Sequence, residues 1–183
     1  MTAISSDALV FFGATGDLAY KKIFPALHAL VRRGELTIPI IGMARAGWNL
    51  ERLRSRARDS LIAQGLYDDG TFAQLSAQLR YVDGDYSDPE TFRSLRRALG
   101  AARHPLHYLA IPPSLFEPVV RGLANGDCAA NARVIVEKPF GRDCASAQAL
   151  NRTLHGVFDE SAIFRIDHYL GKEAVQNLLY FRF

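Results

Sequence analysis

A chain of 183 residues that is 49% hydrophobic and 22% charged is long enough to bury a core without disulfide staples and has the make-up of one ordinary globular domain spanning 1–183. That excludes a disordered, collagen-like or disulfide-scaffolded chain. Twenty-two Lys and Arg against 19 Asp and Glu leave a net charge of +3, which suits an anionic small-molecule ligand and is too small to argue for nucleic acid. No apolar run reaches the roughly 18 residues of a membrane span, and Met1 to Asp7 lacks a signal peptide's basic start and apolar core. Cys128 and Cys144 have no metal-ligand spacing around them, so no metal is expected, and a reducing cytoplasm is the simplest location.

Short apolar runs alternate with amphipathic stretches. Ala8 to Phe12 reads as a buried strand ending at Gly13. Asp17 to Arg33 has helical spacing of Leu18, Ile23, Leu27, Leu30 and Val31, with Gly34 as its stop and Pro25 as a kink or a marker of the first turns. Thr37 to Met43 is a second strand. Leu50 to Gln64 and Thr71 to Leu79 read as helices, Arg80 to Asp83 as a third strand. Pro89 to Leu99 follows as a helix capped by Ser87 or Asp88. His107 to Ile111 is a fourth strand halted by Pro112 and Pro113, and Leu115 to Leu123 is helical. Arg133 to Val136 is a fifth strand. Cys144 to Val157 is a helix capped by Asp143, and Ala162 to Ile166 is a sixth strand, with a further helix expected over Ala174 to Leu179.

This alternation predicts an α/β fold: a doubly wound, Rossmann-like parallel sheet with helices on both faces. Ligands of such sheets bind beyond the carboxyl ends of the strands, which directs attention to the residues following each strand. After the first come Gly13, Ala14, Thr15, Gly16, Asp17, Leu18 and Ala19. In this turn glycines let backbone amides approach a pyrophosphate at a helix start. The spacing is G-x-x-G-x-x-A, not G-x-G-x-x-G, and a glycine turn without a ligand has the same composition; the position after the first strand favours the phosphate reading. The second strand ends in Gly42-Met43-Ala44-Arg45, without the acid that bonds a ribose 2′-hydroxyl, whereas Arg45 offers a planar fork for a 2′-phosphate and so points to NADP. After the fifth strand, Lys138 is placed to neutralise an anion or to bond a hydroxyl. After the sixth, Asp167, His168, Tyr169 and Lys172 crowd one turn ahead of a helix, where His168 and Lys172 suit a phosphate and Asp167 suits orienting an imidazole supplied elsewhere. Tyr108 reads equally as a coenzyme contact or a core aromatic. His28, His104, His107 and His155 are expected to be structural or on the surface.

GATGDLA, GMAR, YLAIPP, EKPFGRD and RIDHYLGKEAVQNLL, in that order, resemble the coenzyme-binding half of the glucose-6-phosphate dehydrogenase family over essentially the whole chain. The resemblance implies oxidation of glucose 6-phosphate to 6-phosphoglucono-lactone, the first step of the pentose phosphate pathway, with reduction of NADP. It implies that Gly13 to Tyr20 form the dinucleotide turn, Arg45 grips the 2′-phosphate, and Tyr108 and Lys138 contact the coenzyme. Lys138 would also bond the sugar near the reacting carbon, His168, Tyr169 and Lys172 would hold its phosphate, and Asp167 would pair with the catalytic histidine. Tyr20 stands where the family usually has a basic residue, though Lys21 and Lys22 follow. The family continues beyond this point into a β+α domain that carries the base histidine and an oligomer interface, while this sequence ends at Phe183. The expectation is weak NADP binding and little or no turnover by these residues alone; the alternative is a stand-alone NADP-binding or regulatory module.

Overall fold

The structure is a computed structural model that describes residues 5–167. Six strands form one sheet: β1 (Ala8–Phe12), β2 (Ile40–Ala44), β3 (Leu79–Asp83), β4 (Pro105–Leu109), β5 (Arg133–Glu137) and β6 (Ile163–Ile166). Their spatial order is β3-β2-β1-β4-β5-β6 and every neighbouring pair is parallel. The order reverses between β1 and β4, which opens a crevice beyond their carboxyl ends. Between the strands run α1 (Phe24–Arg32), α2 (Leu50–Ala63), α3 (Asp69–Gln78), α4 (Pro89–Leu99), α5 (Phe116–Asn125) and α6 (Cys144–His155).

Successive strand residues point to opposite faces, and β1 shows both destinations. Phe11 packs with Phe24, Leu27, Leu53 and Leu61 of α1 and α2 on one side. Val10 and Phe12 pack with Phe92, Leu95, Phe116 and Val120 of α4 and α5 on the other. Being covered on both faces is why β1 and β2, at the centre of the sheet, read as unbroken apolar runs.

The boundaries move by a few residues from the predicted ones. The second strand begins at Ile40, because Thr37 to Pro39 are not paired in the ladder, and the fourth is Pro105–Leu109, ending before Ala110. A single turn, Pro113–Leu115, precedes α5. Helical backbone runs over 17–32, with a π turn at Ala19–Ile23. Pro25 accounts for the carbonyl this turn strands. The Phe24 N–H donates to the Ala19 carbonyl, and Pro25 has no N–H to offer the Tyr20 carbonyl next in line. The buried Ser60 hydroxyl of α2 donates to that carbonyl instead, with the Gln64 side-chain amide 3.4 Å away.

Candidate coenzyme site

Gly13 ends β1 at φ +81°, and a Cβ there would lie 2.4 Å from the Ala110 carbonyl oxygen beyond β4. Only glycine combines that backbone angle with so close an approach. The Gly13 and Ala14 amides both donate to the Met43 carbonyl, at 2.9 and 3.0 Å, and the Gly16 amide closes back on the Gly13 carbonyl at 2.9 Å. Ala14 and Ala19 are fully buried, Thr15 and Leu18 half-buried, and Gly16 and Asp17 exposed. The turn therefore presents its backbone at the crevice, at the start of a helical run whose first amides point outward. Asp17, a negative charge at this position, is offset by Lys21 at 3.0 Å and Arg56 at 4.0 Å.

Arg45 follows β2 on the same edge. Its side chain is 73% exposed, and one guanidinium nitrogen lies 2.5 Å from the Asp85 carboxylate. Beside it, Arg52 lies over the ring of Trp48 at 4.6 Å, and Arg56 lies over Tyr20 at the same distance. Spacing of four along α2 brings Arg52, Arg56 and Ser60 onto one face toward the turn.

Sequence reasoning missed the segment that ties these pieces together, the loop after β3. Asp83 accepts hydrogen bonds from the Ala46 amide (3.0 Å), the Trp48 amide (3.3 Å) and the Tyr81 hydroxyl (2.7 Å). Tyr86 accepts from the Gly13 amide and donates to the Met43 carbonyl, both at 3.1 Å. Asp85 accepts from the Ser87 amide and hydroxyl as well as from Arg45. The Ser87 bonds, then Arg45, hold its carboxyl down to about 2. The only sequence signal was an acid ending the strand and, just beyond it, two more acids and a tyrosine, Asp85, Tyr86 and Asp88.

On the other side of the crevice, β5 and β6 pair with Glu137 opposite Ile166. The next residue of each, Lys138 and Asp167, form an ion pair. The Lys138 side chain is half exposed and that of Asp167 mostly covered. Tyr108, half-buried, donates its hydroxyl proton to Glu137. Burial and that carboxylate raise the phenol well above its usual range, so Tyr108 is fitted to donate, not to act as a base. A cleft of about 560 Å³ begins at Pro139, lined by Pro112, Pro113, Phe116, Phe140 and Arg142. His168, Tyr169, Lys172 and the helix expected over Ala174 to Leu179 lie outside the described residues. His107 is wholly enclosed in the core and His28 nearly so. Cys128 is buried and Cys144 exposed. Among the described residues, no group of three or more His, Cys, Asp or Glu is placed to hold a metal, and no helix is long and apolar enough to cross a membrane.

Residues 10–177 match the family model described as glucose-6-phosphate dehydrogenase, NAD binding domain. Glucose-6-phosphate 1-dehydrogenase 1 of Mycobacterium bovis is 46% identical over 179 residues, covering 98% of this chain and 38% of the relative. Among solved structures, glucose-6-phosphate 1-dehydrogenase from Mycobacterium avium superposes with a TM-score of 0.90 at 48% identity, over 98% of this chain and 40% of that one. A glucose-6-phosphate dehydrogenase in complex with its substrate glucose-6-phosphate gives a TM-score of 0.85 at 40% identity, over 99% and 41%. The chain thus spans about two-fifths of the length of the proteins it matches.

Proposed function

The chain belongs to the glucose-6-phosphate dehydrogenase family, and on that premise we propose that it forms the coenzyme-binding part, and one wall of the sugar site, of an enzyme that oxidises glucose 6-phosphate with NADP. One observation carries this reading. The Gly13 turn, Arg45 and the Lys138–Asp167 pair, from four separate segments, all stand on the carboxyl edge of one parallel sheet. The residues fit a dinucleotide: the approach at Gly13 leaves no room for a side chain, and the exposed guanidinium of Arg45, engaged by Asp85 through one nitrogen, keeps further N–H groups for a 2′-phosphate. Gly13, Ala14, Thr15, Gly16, Asp17 and Leu18 would form the cradle of the pyrophosphate: the internal bonds of the Gly13, Ala14 and Gly16 amides set the turn's shape, and the Thr15, Asp17 and Leu18 amides would donate to the phosphates, with Tyr108 and Lys138 flanking the coenzyme further along the edge.

When bound, the coenzyme supplies the acceptor for the hydride leaving the sugar. The protein's task is to position the sugar and to remove the hydroxyl proton. The Lys138 ammonium would donate to the sugar hydroxyl oxygen near the reacting carbon. Asp167, neighbour to Lys138, would orient the base histidine that the family resemblance places beyond residue 183. His168, Tyr169 and Lys172 would hold the sugar phosphate. Without the base, turnover is expected to fall by about 100- to 10,000-fold, so these 183 residues alone bind coenzyme and reduce it at or below the limit of detection.

Fluorescence titration with NADPH beside a glucose 6-phosphate turnover assay, on this chain and on Arg45→Ala, tests the assignment. A lost charge-assisted phosphate contact is expected to weaken NADPH by about 10- to 100-fold while NADH is little changed. No NADPH binding by the wild type, or an unaltered preference in the variant, would refute it.

A further inference from the structure

We propose that Asp85 is a specificity-determining residue of the coenzyme site, lowering the discrimination that Arg45 provides so that a 2′-hydroxyl coenzyme competes with a 2′-phosphorylated one. This rests on the reading that Arg45 faces the ribose 2′ position. The two side chains occupy the same place at the crevice, 2.5 Å apart, although 40 residues separate them in sequence. Asp85 is not free to swing away. One carboxylate oxygen is fixed by the Ser87 amide at 2.9 Å and the Ser87 hydroxyl at 2.7 Å, which leaves the other directed at Arg45. With its carboxyl held far below neutrality, it is charged at any pH at which a dehydrogenase would work.

A 2′-phosphate gripped by Arg45 is therefore brought next to a fixed carboxylate of the same sign. Neighbouring cations do little to offset this: Arg52 is drawn over Trp48, and Arg56 over Tyr20 with Asp17 at 4.0 Å. A 2′-hydroxyl meets the opposite situation. It can donate to the oxygen of Asp85 that faces Arg45, since a carboxylate oxygen has more than one acceptor site. In dinucleotide-binding sheets the acid that plays this part sits at the end of the second strand. Here that position holds Arg45, and the acid arrives from the loop after the third. The opposing possibility, that Asp85 merely holds Arg45 in a phosphate-ready pose, conflicts with the contact being a single nitrogen to a single oxygen on a side chain that is 73% exposed.

The two roles differ in sign, so Asp85→Asn separates them. The amide retains an oxygen for Ser87, removes the charge, and turns an N–H donor toward Arg45 in place of the oxygen that would accept from a 2′-hydroxyl, so both changes favour the 2′-phosphate. Affinities of the full chain for NADPH and NADH are measured by quenching of Trp48, the single tryptophan, in the wild type, Asp85→Asn and Arg45→Ala, with circular dichroism as a check on folding. Should Asp85→Asn unfold, Asp85→Ser repeats the test with a hydroxyl in place of the carboxylate. The expected result is an NADPH-to-NADH preference raised about two- to fivefold, the size of one exposed charge contact. A preference left unchanged or reduced, while Arg45→Ala still weakens NADPH, would overturn the role of Asp85 and leave the coenzyme site standing. Failure of the wild type to bind either coenzyme would overturn both.

Discussion

His107 lies on β4 with its ring wholly enclosed, its Nε2 donating to the Cys128 carbonyl at 2.7 Å and its Nδ1 without a partner. Burial lowers its pKa from 6.5 to about 4. The folded chain thus resists a proton that the unfolded chain accepts, so stability is full above the unfolded value and is lost as pH falls from there toward the folded one. Urea unfolding at about pH 7.5 and about pH 5 is expected to differ by about 2 kcal/mol on this account, and His107→Gln to lose most of that difference. His28, His104, His107 and His155 look alike in sequence, and which of them is enclosed depends on packing that composition does not record. Lys138 and Asp167 were each legible as strand-end residues. Their pairing was not, since it depends on β5 and β6 being neighbours. Asp85 and Tyr86 were passed over because neither belongs to a recognised phosphate motif.

At the scale of elements, the loop after β3 acts as a clasp. Through Tyr86 it reaches the Gly13 turn and the end of β2 together, and through Asp83 it sets the backbone before α2. Tyr86→Phe removes one hydroxyl that serves two backbone groups. The expected cost is about 1–2 kcal/mol in urea unfolding, with NADPH binding weakened several-fold although Tyr86 lies outside the predicted coenzyme contacts. Unchanged affinity would show that the turn holds its shape without the clasp. The helices with caps were the most legible elements. Asp143 accepts from the Ser146 amide at 2.8 Å in a reciprocal capping box, and Asp88 caps α4 just ahead of Pro89. The π turn was the least legible. Pro25 announced a disturbance, but its form depends on Ser60 arriving from another helix.

Across the whole molecule, strand alternation was enough to read a doubly wound parallel sheet, and the order β3-β2-β1-β4-β5-β6 was not. In that order α1, α2 and α3 pack on one face of the sheet and α4 and α5 on the other, and it decides which strand ends share the crevice. Backbone amide NMR of the chain titrated with NADPH tests this arrangement most directly. A cradle at the β1–β4 reversal requires the largest shifts at Gly13 to Ala19 and Arg45, with smaller ones near Tyr108 and Lys138. Shifts confined to the opposite, amino-terminal edge of the sheet, with residues 13–19 unmoved at saturation, would contradict it.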